Sequence, residues 1–277
     1  MRLPIAVASV TLPLTALRAV MRASGIAEPA REPLGAALSI AVAWVAYGRY
    51  VAWVERREPT ELSLHGAARE LAAGAAIGAV LFAVVAAALA AVGALRIGPG
   101  GAAAAVLPGA LALAAASGFA EEVLIRGVVF RIVEEALGTW PALVLSAALF
   151  GAAHLGNPGA TWWTAGAIAV EAGVLLAAAY LVTRRLWLAI GLHAAWNFTE
   201  AGVFGVAVSG HDVPGLLRST PAGPELLSGG AFGAEASVVA VVVCTAAGCG
   251  LLALAARRRA FVPLPWARRA GVDATPA

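Results

Sequence analysis

Apolar runs of membrane-crossing length, broken by short charged or Gly/Pro-rich punctuation, organise the whole chain. A helix needs about 20 mostly apolar residues to cross the hydrocarbon core. On that measure the runs predict spans at 3–20, 35–54 and about 71–95. A fourth starts near 103 and runs through "EEVLIRGVVFRIVEEALG", and the remaining spans fall at 140–155, 161–183, 186–207 and 233–256. Pro4 and Pro13 interrupt the first run and Arg18 closes it. It reads as a weak span or a retained interfacial segment, since no clear cleavage site follows. A polar Gly/Pro-rich loop covers 208–231. No internal repeat or low-complexity linker divides the chain, so 1–277 reads as a single membrane domain. The short alternating strands of a membrane barrel are absent, which leaves helices as the spanning elements. The expected fold is all-α: a polytopic transmembrane bundle of about seven or eight spans, with any site in a cavity between helices.

Composition supports the membrane reading. The chain is 61% hydrophobic and 13% charged, with a mean hydropathy of +0.86. Soluble domains are about half apolar and about a quarter charged. The basic residues are all arginine, with no lysine. That fits a GC-rich coding bias and points to a bacterial plasma membrane. Arg56, Arg57, Arg69, Arg184, Arg185 and the tail arginines Arg257, Arg258, Arg259, Arg268 and Arg269 fall between alternate spans, whereas Arg22, Arg31, Arg96 and Arg218 are spread thinly across the others. Cytoplasmic loops carry the arginine excess, so residues 257–277 read as a basic cytoplasmic tail. With eight spans both termini are cytoplasmic; with seven the N-terminus lies outside. The net charge of +3 is therefore a matter of topology. The implied partner is the lipid bilayer, not nucleic acid. Cys244 and Cys249 stand about 140° apart on a helix and read as two separately packed thiols.

Several polar residues interrupt the fourth to seventh spans: Glu121, Glu122, Arg126, His154, His193 and Asn197. An ionisable group at the bilayer centre costs roughly 2.5–3.5 kcal/mol on insertion scales, and such groups usually face a bundle interior or a wet cavity. Glu122 and Arg126 are four apart, on one helix face, and can form an ion pair. Glu121 lies about 100° round from Glu122, so one carboxylate can be neutralised while the other stays available. "FGAAH" sets Phe150 and His154 four apart, and "HAAWN" does the same for His193 and Asn197. Taken singly, the ion pair, the histidines and the asparagine each have a structural explanation. Clustered between 121 and 197, they favour a shared site. His65, His211 and Asp212 read as solvated loop residues. Glu171 and Glu200 lie within spans, where a substrate contact competes with a structural role. Glu134 and Glu135 end the fourth helix on the cytoplasmic side, with Arg131 a turn before.

The order E-E-x-x-x-R at 121–126, F-x-x-x-H at 150–154 and H-x-x-x-N at 193–197 resembles the CPBP family of CAAX-prenyl-protease and bacteriocin-processing (Abi) intramembrane proteases. The resemblance covers roughly 103–207, the expected catalytic core. It implies an intramembrane endopeptidase in which Glu121 and His154 hold and activate a water, His193 and Asn197 stabilise the oxyanion, and Glu122 and Arg126 orient and support the site. Members have been described both as metalloproteases and as metal-independent.

The residues suit that chemistry. Peptide hydrolysis needs a base near neutral pH, and a histidine can share the water and protonate the leaving amine. Fixed donors answer the charge on the carbonyl oxygen. No Ser or Cys nucleophile lies among the three motifs, so direct attack by water is preferred, with no cofactor. Zinc held by Glu121, His154 and His193 is the alternative, although no H-E-x-x-H is present. The expected substrate is a membrane-associated, lipidated or hydrophobic protein or peptide. Competing readings are a non-catalytic scaffold or immunity protein, and a small transporter using its intramembrane Glu and His. Transport would favour inverted repeats, and none is visible.

Overall fold

The computed structural model describes residues 2–267; Arg268, Arg269 and the end of the basic tail lie outside them. Helix α1 covers Arg2–Ala23, α2 covers Glu28–Tyr50 and continues as a wide π-helical turn to Glu55, and α3 covers Ala67–Ala91. Strand β1 (Leu95–Pro99) precedes α4 (Ala103–Glu122), which passes through a π-helical stretch, Val123–Phe130, into α5 (Arg131–Leu137). Helix α6 is Thr139–Ala153. Helix α7 (Trp162–Ile168) runs through another wide stretch, Ala169–Val174, into α8 (Leu175–Thr183). Helix α9 (Trp187–Phe198) is extended by a fourth, Thr199–Val203. Strand β2 (Leu217–Pro221), the short α10 (Glu225–Ser228) and α11 (Val238–Arg257) complete the order.

The result is an all-α bundle with helical segments at all the expected spans. Among the described residues six helices are long and apolar enough to cross a membrane: Arg2–Ala23, Ala30–Glu55, Ala67–Ala91, Thr139–Gly156, Trp162–Thr183 and Val238–Arg257. The other two rods, α4–α5 and α9 with its extension, carry Glu121, Glu122, Arg126, His193 and Asn197 of the motifs, whereas His154 ends α6. The outer surface is apolar, with Val80, Leu111, Val144 and Val242 all well exposed. In water such a surface would be a liability, whereas lipid tails accept it.

Three details depart from the sequence reading. The first segment is one continuous helix despite Pro13. Pro4 lies in its first turn, where no backbone N–H needs a partner. The expected loop at 208–231 contains β2, which pairs antiparallel with β1, Leu95 opposite Pro221. Cys244 is packed but Cys249 is exposed, as their angular separation on one helix requires.

Small residues set how closely the helices approach. A Cβ on Gly74 or Gly78 of α3 would fall on the backbone of Leu188 or Leu192, and one on Gly191 of α9 would fall on that of Leu71. Without a strong hydrophobic force between helices in lipid, such close backbone packing drives association. Gly118 does the same between α4 and α9: a Cβ there would stand 2.9 Å from the Ala194 nitrogen. Gly173 likewise faces Ala147 of α6 at 2.8 Å. These contacts draw α4, α6, the 169–174 turn and α9 around one another.

The helix ends sort onto two faces. On one face Arg131 binds Glu55 at 2.6 Å and Glu135 at 2.7 Å, and Arg184 pairs with Glu134. Arg57 forks onto Glu61 at 2.9 and 3.1 Å. Burial works against the Arg57 charge, but the bonds to Glu61 outweigh it and hold the guanidinium pKa above its ordinary value. The Thr139 and Val262 backbones join here at 3.0 Å, and Trp187 reaches the Ser63 carbonyl at 2.9 Å. The opposite face is capped by the β1–β2 ribbon and the segment after α9, where Gly210 N bonds Phe232 O at 2.7 Å.

Candidate active site

Glu122 and Arg126 form the deepest part of the site. Both are fully buried, and Nη1 of Arg126 donates to Oε1 of Glu122 at 2.7 Å. Nη2 of Arg126 donates to the carbonyls of Ala172 and Gly173, each at 3.1 Å. Those carbonyls belong to the π-helical stretch after α7, where the wider turn alters the local hydrogen-bond ladder. The guanidinium also lies 4.7 Å from the centre of the Phe150 ring, a cation–π contact. One arginine therefore joins the α4–α5 rod, the 169–174 turn and α6.

His193 is held by the same carboxylate. Its Nδ1 lies 2.9 Å from Oε1 of Glu122. Because that oxygen also takes the arginine proton, the carboxylate accepts from both, and Nδ1 carries the hydrogen. Nε2 is then the nitrogen turned toward Glu121, 3.9 Å from Oε2. The Glu121 side chain keeps 38% of its exposure, whereas that of Glu122 has none. The two adjacent glutamates thus have separate environments, as their angular offset on the helix requires.

His154 sits at the C-terminal end of α6. Its Nδ1 lies 2.8 Å from the Phe150 carbonyl. A carbonyl only accepts, so this nitrogen bears the proton and Nε2 is the basic one. The Phe150 ring meets the His154 ring edge to face at 4.9 Å and the His193 ring at 6.0 Å. Asn197, one turn beyond His193, donates from Nδ2 to the Ser117 hydroxyl at 3.1 Å, which leaves its second amide hydrogen for another acceptor.

Glu121, His154, His193 and Asn197 all line one cavity of about 450 Å³. The histidine within ion-pair distance of Glu121 is His193, and His154 stands farther from it among the described residues. Glu171 also lines the cavity and is buried. Glu200 is fully buried and accepts the Trp196 indole N–H at 3.1 Å. His211, expected in a solvated loop, is exposed, yet it borders the same cavity. His65 lies in the loop between α2 and α3, on the arginine-rich face.

Sequence reasoning did not single out Ser117, Asn157, Ser209 or Glu235, all of which line the cavity. Ser117 had a signal, since it lies one turn before Glu121 on the same helix. Glu235 had none: it precedes α11 at the edge of an apolar run, and reaches the site only because the chain folds back after α9, where its Oε1 accepts the Ser209 N–H at 2.6 Å.

The alternative zinc set of Glu121, His154 and His193 does not gather around a common point. Among the described residues no group of three or more His, Cys, Asp or Glu side chains is arranged to share an ion. What the arrangement offers is one accessible carboxylate, two imidazoles with Nε2 free of protein hydrogen bonds, and a fixed amide donor, in a cavity walled by apolar helices.

Residues 103–199 match the family model described as Type II CAAX prenyl endopeptidase Rce1-like, the family that the three motifs resemble. No curated protein and no solved structure matches the chain.

Proposed function

Starting from a type II CAAX prenyl endopeptidase-like domain at 103–199, we propose that this integral membrane protein is an intramembrane peptidase in which Glu121 and His154 activate water. The observation that carries the reading is the division of labour between the adjacent glutamates. Glu122 is tied to Arg126 and His193, while Glu121 reaches into the cavity with only the longer 3.9 Å approach to Nε2 of His193. A substrate carbonyl bound between Glu121 and Asn197 meets a base on one side and a donor on the other.

Water shared by Glu121 and Nε2 of His154 loses a proton to the carboxylate as its oxygen attacks the carbonyl carbon. The carbonyl electron pair moves onto oxygen, where Asn197 and His193 donate to it. Removing one such donor typically costs 10²–10³ in rate. For His193 to donate from Nε2 while Nδ1 serves Glu122, the ring must be an imidazolium, with Glu121 and Glu122 as its counter-charges. When the tetrahedral species collapses, the C–N bond breaks and the proton taken from water passes through His154 to the leaving nitrogen. Arg126 and Glu122 hold the ring and need not touch substrate. No metal is required by this scheme.

The arginine distribution supports a cytoplasmic C-terminus, and the all-arginine composition supports a bacterial plasma membrane. The substrate class is a membrane-associated or hydrophobic protein or peptide. The test is peptide proteomics of membranes from cells carrying the wild type or Glu121→Ala. Products that vanish in the variant, at equal protein level, support hydrolysis. Identical peptide profiles would reject it.

A further inference from the structure

The proposed cavity does not open on the arginine-rich face. Helix α6 starts on that face, where Thr139 bonds Val262, and is 15 residues long. At about 1.5 Å per residue, His154 lies roughly 22 Å away, at the other end. The loop residues that border the cavity, Asn157, Val208, Ser209, His211 and Glu235, all belong to the opposite face. None of the described residues in the arginine-face loops at 56–66, 184–186 and 258–263 lines it. That face is instead closed by ion pairs and backbone bonds between the helix ends. Between the two lie Leu176, Leu192 and His193, which line the inner part of the cavity, with Leu176 and Leu192 fully buried. Leu113 of α4 also borders the cavity and is 43% exposed.

Arg2, Arg49, Arg56, Arg57, Arg69, Arg131, Arg184, Arg185, Arg257, Arg258 and Arg259 cluster at the closed face, while Arg22, Arg31, Arg96 and Arg218, with Arg18 a turn deeper at the cavity, are scattered toward the open one. Arginine excess marks the cytoplasmic side. Given the peptidase reading above, on which this step rests, we infer that the site takes its substrate from the non-cytoplasmic side of the membrane. The substrate is then an exported polypeptide segment next to a membrane-spanning or lipid-anchored stretch. A chain end presented at the cytoplasmic surface would meet the closed face.

Cysteine accessibility tests the direction without reference to activity. In a Cys249→Ser background, His211→Cys and His65→Cys are each treated with a membrane-impermeant maleimide, in intact cells and after lysis. His211→Cys should react in intact cells and His65→Cys only after lysis. The reverse pattern, or a His211→Cys that stays unreactive even after lysis, would overturn the inference while leaving hydrolysis untouched. The substrate side is read from where the fragments lost in Glu121→Ala cells map. Cuts in outward-facing segments are expected, and cuts in cytoplasmic segments would overturn the inference. If no fragment is lost, the peptidase reading itself fails, whatever the labelling shows.

Discussion

Nδ1 of His193 and Nη1 of Arg126 converge on one oxygen, Oε1 of Glu122, at 2.9 and 2.7 Å. A buried carboxylate thus sets the orientation of a histidine on another helix, and the arginine supplies its counter-charge. Removing one partner of a buried pair strands the other charge, at a cost of about 3–5 kcal/mol. Arg126→Ala should therefore sharply lower the fraction of folded protein recovered in detergent, and shift its thermal unfolding downward. Arg126→Lys should rescue little, because a single ammonium lacks the planar fork that serves Glu122 and two carbonyls together. A normal yield and melting temperature for the alanine variant would show that water reaches the pair.

Glu121 should behave in the opposite way. Its side chain is partly exposed to the cavity, and its neighbour His193 keeps Glu122 as a counter-charge, so neutralising it leaves no buried charge unpaired. Glu121→Gln should abolish peptide cleavage while leaving the melting temperature within a degree or two of wild type, because the amide keeps the shape but cannot take a proton. Residual turnover near the wild-type rate would move the base elsewhere, with Glu171 and Glu235 the alternative carboxylates lining the cavity.

Much of this geometry was legible in the sequence, for identifiable reasons. Helical periodicity alone separates Glu121 from Glu122 and aligns Glu122 with Arg126, because both statements concern neighbours on one helix. The same holds for His193 and Asn197. Contacts that depend on how helices cross were not legible. Nothing in the chain announces that Arg126 reaches the carbonyls of Ala172 and Gly173, since that needs a π-helical turn with no compositional mark. The β1–β2 ribbon was hidden by the Gly- and Pro-rich character of 208–231. Glu235 joins the cavity only through that returning segment.

Asn197 and Ser117 separate donation from positioning. Asn197→Ala removes a donor aimed into the cavity and should reduce the cleavage rate about 10² to 10³-fold. The Ser117 hydroxyl accepts from Nδ2 of Asn197 at 3.1 Å and donates to the Ala114 carbonyl at 3.4 Å, so Ser117→Ala leaves the amide in place but less constrained. Its expected loss is smaller, under about tenfold in rate, at roughly the 0.5–1.5 kcal/mol of one hydrogen bond. Equal losses from the two substitutions would make the pair a single structural unit.

Helix spacing should matter as much as side-chain chemistry. Gly118 stands against Ala194, one position after His193. A larger residue at 118 must push α4 away from α9, and with it Glu121 and Glu122 from His193. Overpacking of this kind costs about 1–3 kcal/mol. Gly118→Leu should therefore lower activity by more than its melting shift explains, because the 2.9 Å bond between His193 and Glu122 is broken in the molecules that still fold. Gly166→Leu is the control, since a Cβ there meets nothing within 4 Å. Equal activity losses in the two variants would argue against a spacing effect.

Metal dependence is the last expectation. An ion shared by Glu121, His154 and His193 would need Nε2 of both rings and the carboxylate to point at one centre. His154 is anchored to the Phe150 carbonyl, and His193 is anchored through its Nδ1 to Glu122. Moving either ring toward a common point would strain or break these bonds. The guanidinium of Arg126 already neutralises Glu122, which leaves Glu121 as the only carboxylate of that set to attract a dication. Purified protein should therefore keep its cleavage rate after prolonged exposure to a strong chelator, and added zinc should not raise it. Elemental analysis after exhaustive dialysis would then find well under one metal per chain. Loss of activity to chelator, restored by stoichiometric zinc and abolished by His154→Ala or His193→Ala together with metal binding, would establish a zinc site and replace carboxylate activation of water with activation by the ion.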